Sequence, residues 1–155
     1  MTTGLIILAV VVVLFLVVKS RIATELNVKQ SVIPSIFERL QETGKDGSFA
    51  VLGFLPPGKT SPEDDGINVQ FSIENGRIGF DWVLLGPSNI RDKEKFTQFA
   101  AGLNYKVGEH EMNGVKYLRV EEGDLPKLCE TLIRDLYSIP SDTDLYFNPD
   151  GFTWP

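Results

Sequence analysis

The sequence predicts an α+β fold: an N-terminal transmembrane helix followed by a mainly antiparallel five-stranded sheet with helices, in the order α-β-β-β-α-β-β-α. Three observations predict it. Residues 5–18 (LIILAVVVVLFLVV) are apolar without exception. Two pairs of strand-like segments are each joined by an Asn-Gly dipeptide, a strong short-range signal for a tight hairpin. Around these pairs, apolar residues recur at intervals of three and four, the spacing of one helix face.

No charged side chain occurs from Met1 to Val18. About 20 apolar residues usually cross a bilayer and about 17 suffice, so this stretch predicts an anchor. A cleavable leader would need a basic start, a shorter apolar core and a small-residue cleavage site, whereas MTTG precedes the core and KSRIA follows it. Lys19, Arg21 and Lys29 follow the span and no charge precedes it. That asymmetry predicts a single-pass signal anchor with the domain on the cytoplasmic side. The lone cysteine, Cys129, cannot form an internal disulfide and fits a reducing compartment. The expected division is a transmembrane anchor at 1–18, a basic and polar juxtamembrane linker at 19–30, an α+β domain at 31–138, and an acidic, aromatic tail at 139–155.

Within the domain, Ile33, Ile36, Phe37 and Leu40 mark a helix over 31–43 that GKDG closes. SFAVLGFL suits a central strand, which the following Pro pair must end because proline has no amide hydrogen. INVQFSIE alternates strictly, placing Ile67, Val69, Phe71 and Ile73 on one face. After Asn75-Gly76 the chain returns as RIGFDWVLL, with Ile78, Phe80, Trp82 and Leu84 on the matching face. GPSN caps a second helix with Phe96, Phe99, Ala100 and Leu103 inward. LNYKVGEHE and VKYLRVE form a second hairpin about Asn113-Gly114. Asp124 caps a third helix, with Pro126 in its first turn and Leu125, Leu128, Leu132, Ile133 and Leu136 giving the apolar face.

This order of elements resembles the type III secretion chaperone-like fold, including the YbjN-like group of small bacterial proteins. The resemblance covers residues 31–138 and rests on the succession of elements, with no functional motif matched. It implies a non-enzymatic, protein-binding or chaperoning domain of a kind often paired with itself.

GFLPPGKT, Gly53 to Thr60, matches the phosphate-loop pattern G-x-x-x-x-G-K-[ST] letter for letter. A working loop needs free amides and a helix directly after it. Pro56 and Pro57 remove two donors, TSPEDDGINV runs into an alternating strand, and Glu63, Asp64 and Asp65 bring negative charge toward the phosphate position. An ordinary turn is therefore expected. GEHEMNG begins like a zinc-protease helix but lacks the second His, and one His with one Cys cannot complete a usual structural zinc site. The consecutive Glu63, Asp64 and Asp65 lack the alternation of a calcium loop. No cofactor or metal is expected.

The chain carries a formal charge of −6; without Lys19 and Arg21 it has 13 basic against 21 acidic residues, about −8. That excludes a nucleic-acid footprint. The function expected is a non-catalytic, single-pass membrane protein that contacts the bilayer through residues 4–18 and binds another protein as an accessory or assembly subunit of a membrane complex, or a second copy of itself. Val83 and Leu85 point away from the main core by strand alternation, and the tail gathers Tyr146, Phe147, Phe152 and Trp154. These six residues are the candidate protein-binding set. Two alternatives make separate demands on the fold. A membrane-tethered hydrolase requires Asp81, mid-strand beside Trp82, to meet His110, and a small-ligand sensor requires a closed apolar cavity between helices and sheet.

Overall fold

The computed structural model describes residues 26–155. Seven antiparallel strands, β1 (Leu26–Val28), β2 (Phe49–Phe54), β3 (Ile67–Glu74), β4 (Arg77–Val83), β5 (Gly108–Met112), β6 (Val115–Val120) and β7 (Leu145–Asp150), form one sheet in the order β1-β7-β2-β3-β4-β6-β5. The helical segments are α1 (Ile33–Thr43), a single turn α2 (Pro62–Asp65), α3 (Pro87–Arg91), α4 (Lys93–Gly102) and α5 (Leu125–Thr131), which runs on into a π-helical turn at Leu132–Leu136.

Strand register explains the core. The pairs Ala50↔Phe71, Phe71↔Phe80 and Phe80↔Val120 set one apolar row across β2, β3, β4 and β6. Ile36 and Leu40 of α1, Phe96 and Ala100 of α4, and Leu128 and Leu132 of the last helix join the same buried cluster, so these three helices cover one face. Trp82 stacks on Phe96 with centroids 5.0 Å apart and donates its indole N–H to the Asn89 carbonyl at 2.9 Å. Asn89 in turn bonds both the N–H and C=O of Asn68 through its side-chain amide, closing the β3 backbone beyond its last pair with β4, Gln70↔Asp81.

Both hairpins form as the sequence predicts: Asn75 and Gly76 have φ of 51° and 75°, Asn113 and Gly114 of 52° and 83°. Those left-handed values are what a two-residue turn requires. Asp124 caps α5 by accepting the Lys127 amide at 3.0 Å.

The five-stranded expectation is corrected to seven. β7 comes from the segment read as a tail, and it lies between β1 and β2 with Leu52↔Phe147 and Leu26↔Phe147 in register. β1 comes from the segment read as a linker, where Gln30 also donates to the Ile139 and Pro140 carbonyls at 3.2 and 3.0 Å. Residues 26–30 and 139–155 therefore belong to the domain. Pro149 weakens any strand reading of LYFNPD, yet β2 pairs with this segment from Tyr146 to Asp150, and among the described residues β1 pairs with Leu145 to Phe147. Among the described residues no helix is long and apolar enough to cross a membrane. That finding stands against the spanning helix, signal anchor and cytoplasmic single-pass placement read from the sequence; the expected anchor, 1–18, lies outside the described residues.

The segment after β2 is a turn, as expected, and it also carries the single helical turn α2. Ser61 caps α2 by accepting the Asp64 amide at 3.3 Å. Lys59 lies 4.0 Å from Asp65, with its side chain half exposed. Lys59→Ala is accordingly expected to change stability by no more than about 0.5 kcal/mol in urea unfolding. Binding of ATP or GTP that disappears in the same variant would contradict this assignment.

Candidate functional site

The candidate site is the face of the sheet opposite those three helices. Because side chains alternate, β3 directs Gln70, Ser72 and Glu74 to this face, β4 directs Gly79, Asp81 and Val83, and β6 directs Tyr117 and Arg119. At its centre, Asp81 is 0 % exposed and Arg119 2 %. The Arg119 Nη1 donates to Asp81 Oδ1 at 2.7 Å and to Ser72 Oγ at 2.8 Å, and its Nη2 donates to the Arg77 carbonyl at 2.9 Å. Asp81 Oδ2 accepts from Ser72 Oγ and from Gln70 Nε2. Tyr117 donates its hydroxyl to Glu74 at 2.7 Å.

Gly79 makes this packing possible. A Cβ there would lie 2.4 Å from the Arg119 Cζ, so only glycine lets the guanidinium lie across β4 to reach β3. Glu74 and Glu121 approach Arg119 Nε at 3.7 and 3.3 Å, although that nitrogen makes no hydrogen bond. Burial lowers the guanidinium's pKa, and Asp81 and Glu74 more than reverse this, leaving it above the ordinary value. Three carboxylates around one cation leave the group with an excess of negative charge. Both Asp81 oxygens are occupied by donors from its own sheet, so the carboxylate ties β3, β4 and β6 together.

Burial, and then the bond to Glu74, raise the Tyr117 phenol above its ordinary value of 10.0; burial, and then the bond to Asp92, do the same for Tyr137. Raised acid pKa values mean that the fold prefers the neutral phenols. Their contribution to stability is fully present below about pH 10 and is lost as pH rises through the higher folded values. Unfolding by urea should therefore become easier above pH 10, and absorbance near 295 nm should show two tyrosines that ionise only with unfolding. Four tyrosines titrating together near pH 10 in the folded chain would contradict the bonds to Glu74 and Asp92.

The sequence-derived candidates are dispersed. Phe147 is 1 % exposed within the core, and Phe152 and Trp154 pack against it, with the Trp154 ring 5.2 Å from Phe147. All three make contacts within the chain's own domain. Tyr146 is half-buried on the helix-free face beside Gly53. Val83 shares that face three strands away, about 14 Å at the usual strand spacing. Leu85 is half-buried just beyond the end of β4.

Asp81 and His110 are not brought together. β6 lies between their strands, and the His110 ring packs on Tyr117 at 5.4 Å. A shallow pocket of about 300 Å³ beside His110 is lined also by Leu84, Lys93, Lys116 and Tyr117, and Asp81 is not part of its wall. Among the described residues no three His, Cys, Asp or Glu side chains are grouped to hold a metal ion. Comparison with protein-family models, with curated proteins and with solved structures finds no match.

Proposed function

We propose that this chain is a non-catalytic protein-binding domain that uses the β4–β6–β5 end of the helix-free sheet face. One observation carries the reading. Val83, Tyr117 and His110 stand opposite one another in a single row across the three strands, and Met112 with Val115 forms the next row toward the hairpin. All but Tyr117 are half-buried, and none of the three longer helices packs over them. Val83, Met112 and Val115, partly exposed around the Tyr117 and His110 rings on the sheet, offer a partner area at little entropic cost, since the strands are already ordered. The Asp81–Arg119 pair beside the row ties β4 to β6 and holds its register. The resemblance of the element order to secretion-chaperone-like domains points to the same class.

A photo-crosslinking residue at Met112 should capture one discrete protein in cells, and Val83→Glu should abolish the capture while the thermal midpoint stays within a few degrees. The same residue placed at the exposed Glu63 is the control. Equal labelling from Met112 and Glu63, or capture indifferent to Val83→Glu, refutes this surface.

A further inference from the structure

We infer that β5 is a strand-addition site for an extended partner segment in which basic and apolar residues alternate. The inference rests on the protein-binding reading above and names the kind of partner. β5 ends the sheet and pairs only with β6 among the described strands. Its hairpin turn contains two residues, Asn113 and Gly114, so Met112 and Val115 form the closing hydrogen-bonded pair. Alternation then makes His110 and Gly108 bond inward to β6, and turns the backbone N–H and C=O of Glu109 and Glu111 outward. The Lys116 carbonyl, opposite Glu111, accepts the Leu84 amide at 3.0 Å on its β4 side, as this alternation requires. The free edge therefore offers two donors and two acceptors in the spacing of a β-ladder.

The side chains select the occupant. Glu109 and Glu111 are both exposed and lie on the same face, beside the pocket whose wall includes Leu84, Lys93, Lys116 and Leu118. An antiparallel second copy that used these outward groups would set Glu109 or Glu111 against Glu109 or Glu111 in each register, and directly opposed like charges disfavour pairing. A segment with Lys or Arg at alternate positions meets the two glutamates with opposite charge. It competes with the exposed Lys93–Glu109 pair at 3.2 Å and with Lys116, which stands opposite Glu111 across the hairpin, and exposed pairs of this kind hold weakly. The residues between its basic positions fall on the other face, beside His110 and Met112. Edge binding of this kind takes its affinity from the main chain and its specificity from alternate side chains.

The test uses the full chain and three fluorescent peptides: Thr-Lys-Val-Arg-Val-Thr, its Lys- and Arg-to-Glu counterpart, and the basic peptide N-methylated on the amides of one edge. Anisotropy should show the basic peptide binding at least about tenfold tighter than the acidic one. The double variant Glu109→Lys with Glu111→Lys should invert that preference. Glu111→Pro removes an outward amide without touching the β6 ladder, so it should weaken the basic peptide about tenfold, as should the N-methylated version. Circular dichroism and thermal melting establish that each variant is folded. Binding of the basic peptide that is unaffected by Glu111→Pro and by N-methylation means charge attraction without strand pairing, and overturns the inference. So does binding of neither peptide. If the edge variants leave the Met112 crosslink to a cellular protein intact, the edge inference fails and the protein-binding reading stands; loss of both together at unchanged stability supports the two.

Discussion

Arg119→Ala is expected to destabilise the domain by about 3 to 5 kcal/mol, because it leaves Asp81 charged, buried and without its cation. Asp81 is fully buried and would keep only Ser72 and Gln70 as donors. That loss is a large part of the 5–15 kcal/mol that holds a typical domain together, so the variant should unfold at markedly lower urea. Asp81→Asn should cost less than Arg119→Ala, since the guanidinium would keep Glu74 and Glu121 nearby and the amide could still accept a hydrogen bond. The double variant Asp81→Leu with Arg119→Met should recover much of the loss, as replacing both partners by apolar groups removes the desolvation cost along with the attraction. Urea titration of the four chains checks the order. An Arg119→Ala loss below about 1 kcal/mol would place the ion pair in solvent, against its burial.

Deleting residues 144–155 is expected to abolish cooperative unfolding altogether. The deletion takes away β7, which joins β1 to β2, and with it Leu145, Phe147, Phe152 and Trp154 from the core. It also strips the β2 edge, exposing unpaired backbone beside Phe49 and Val51. Phe147→Ala is the milder form, expected to cost about 3 to 5 kcal/mol through the cavity it leaves. Trp154→Ala should cost less, because that ring is only half-buried. A truncated chain that melts sharply at the temperature of the full chain would show that β7 contributes no stability to the sheet.

The local elements were legible where a pattern of period two or 3.6 coincided with a turn or a cap. INVQFSIE and RIGFDWV about Asn75-Gly76, and the Asp124 cap, need only nearest-neighbour stereochemistry, and they fold as read. The site was less legible. Alternation puts Gln70 and Ser72 on the face opposite Ile67, Val69, Phe71 and Ile73, without saying what lies over either face. In the fold Gln70 and Ser72 are 8 % and 5 % exposed, since Asp81 and Arg119 lie beside them. Two signals pointed that way: Gly79 in the middle of a strand, and Asp81 in mid-strand between apolar residues with no local cation.

From its sequence alone, the chain's acidic charge, its two hairpins, its three longer helical segments and the α+β character of the domain are determined, since each depends on composition or on residues close along the chain. Strand order, the capture of β7 between β1 and β2, and the meeting of Asp81 with Arg119 were decided only by tertiary structure. β7 reads as a proline-containing acidic tail until Leu52 and Phe54 of β2 provide an apolar row for Leu145 and Phe147 to extend. Asp81 and Arg119 are 38 residues apart, and no local rule relates them; the register of β4 against β6 does. Pairing at that range is chosen by which arrangement buries the most apolar area while leaving no charge alone, a property of the whole sheet and of no single segment.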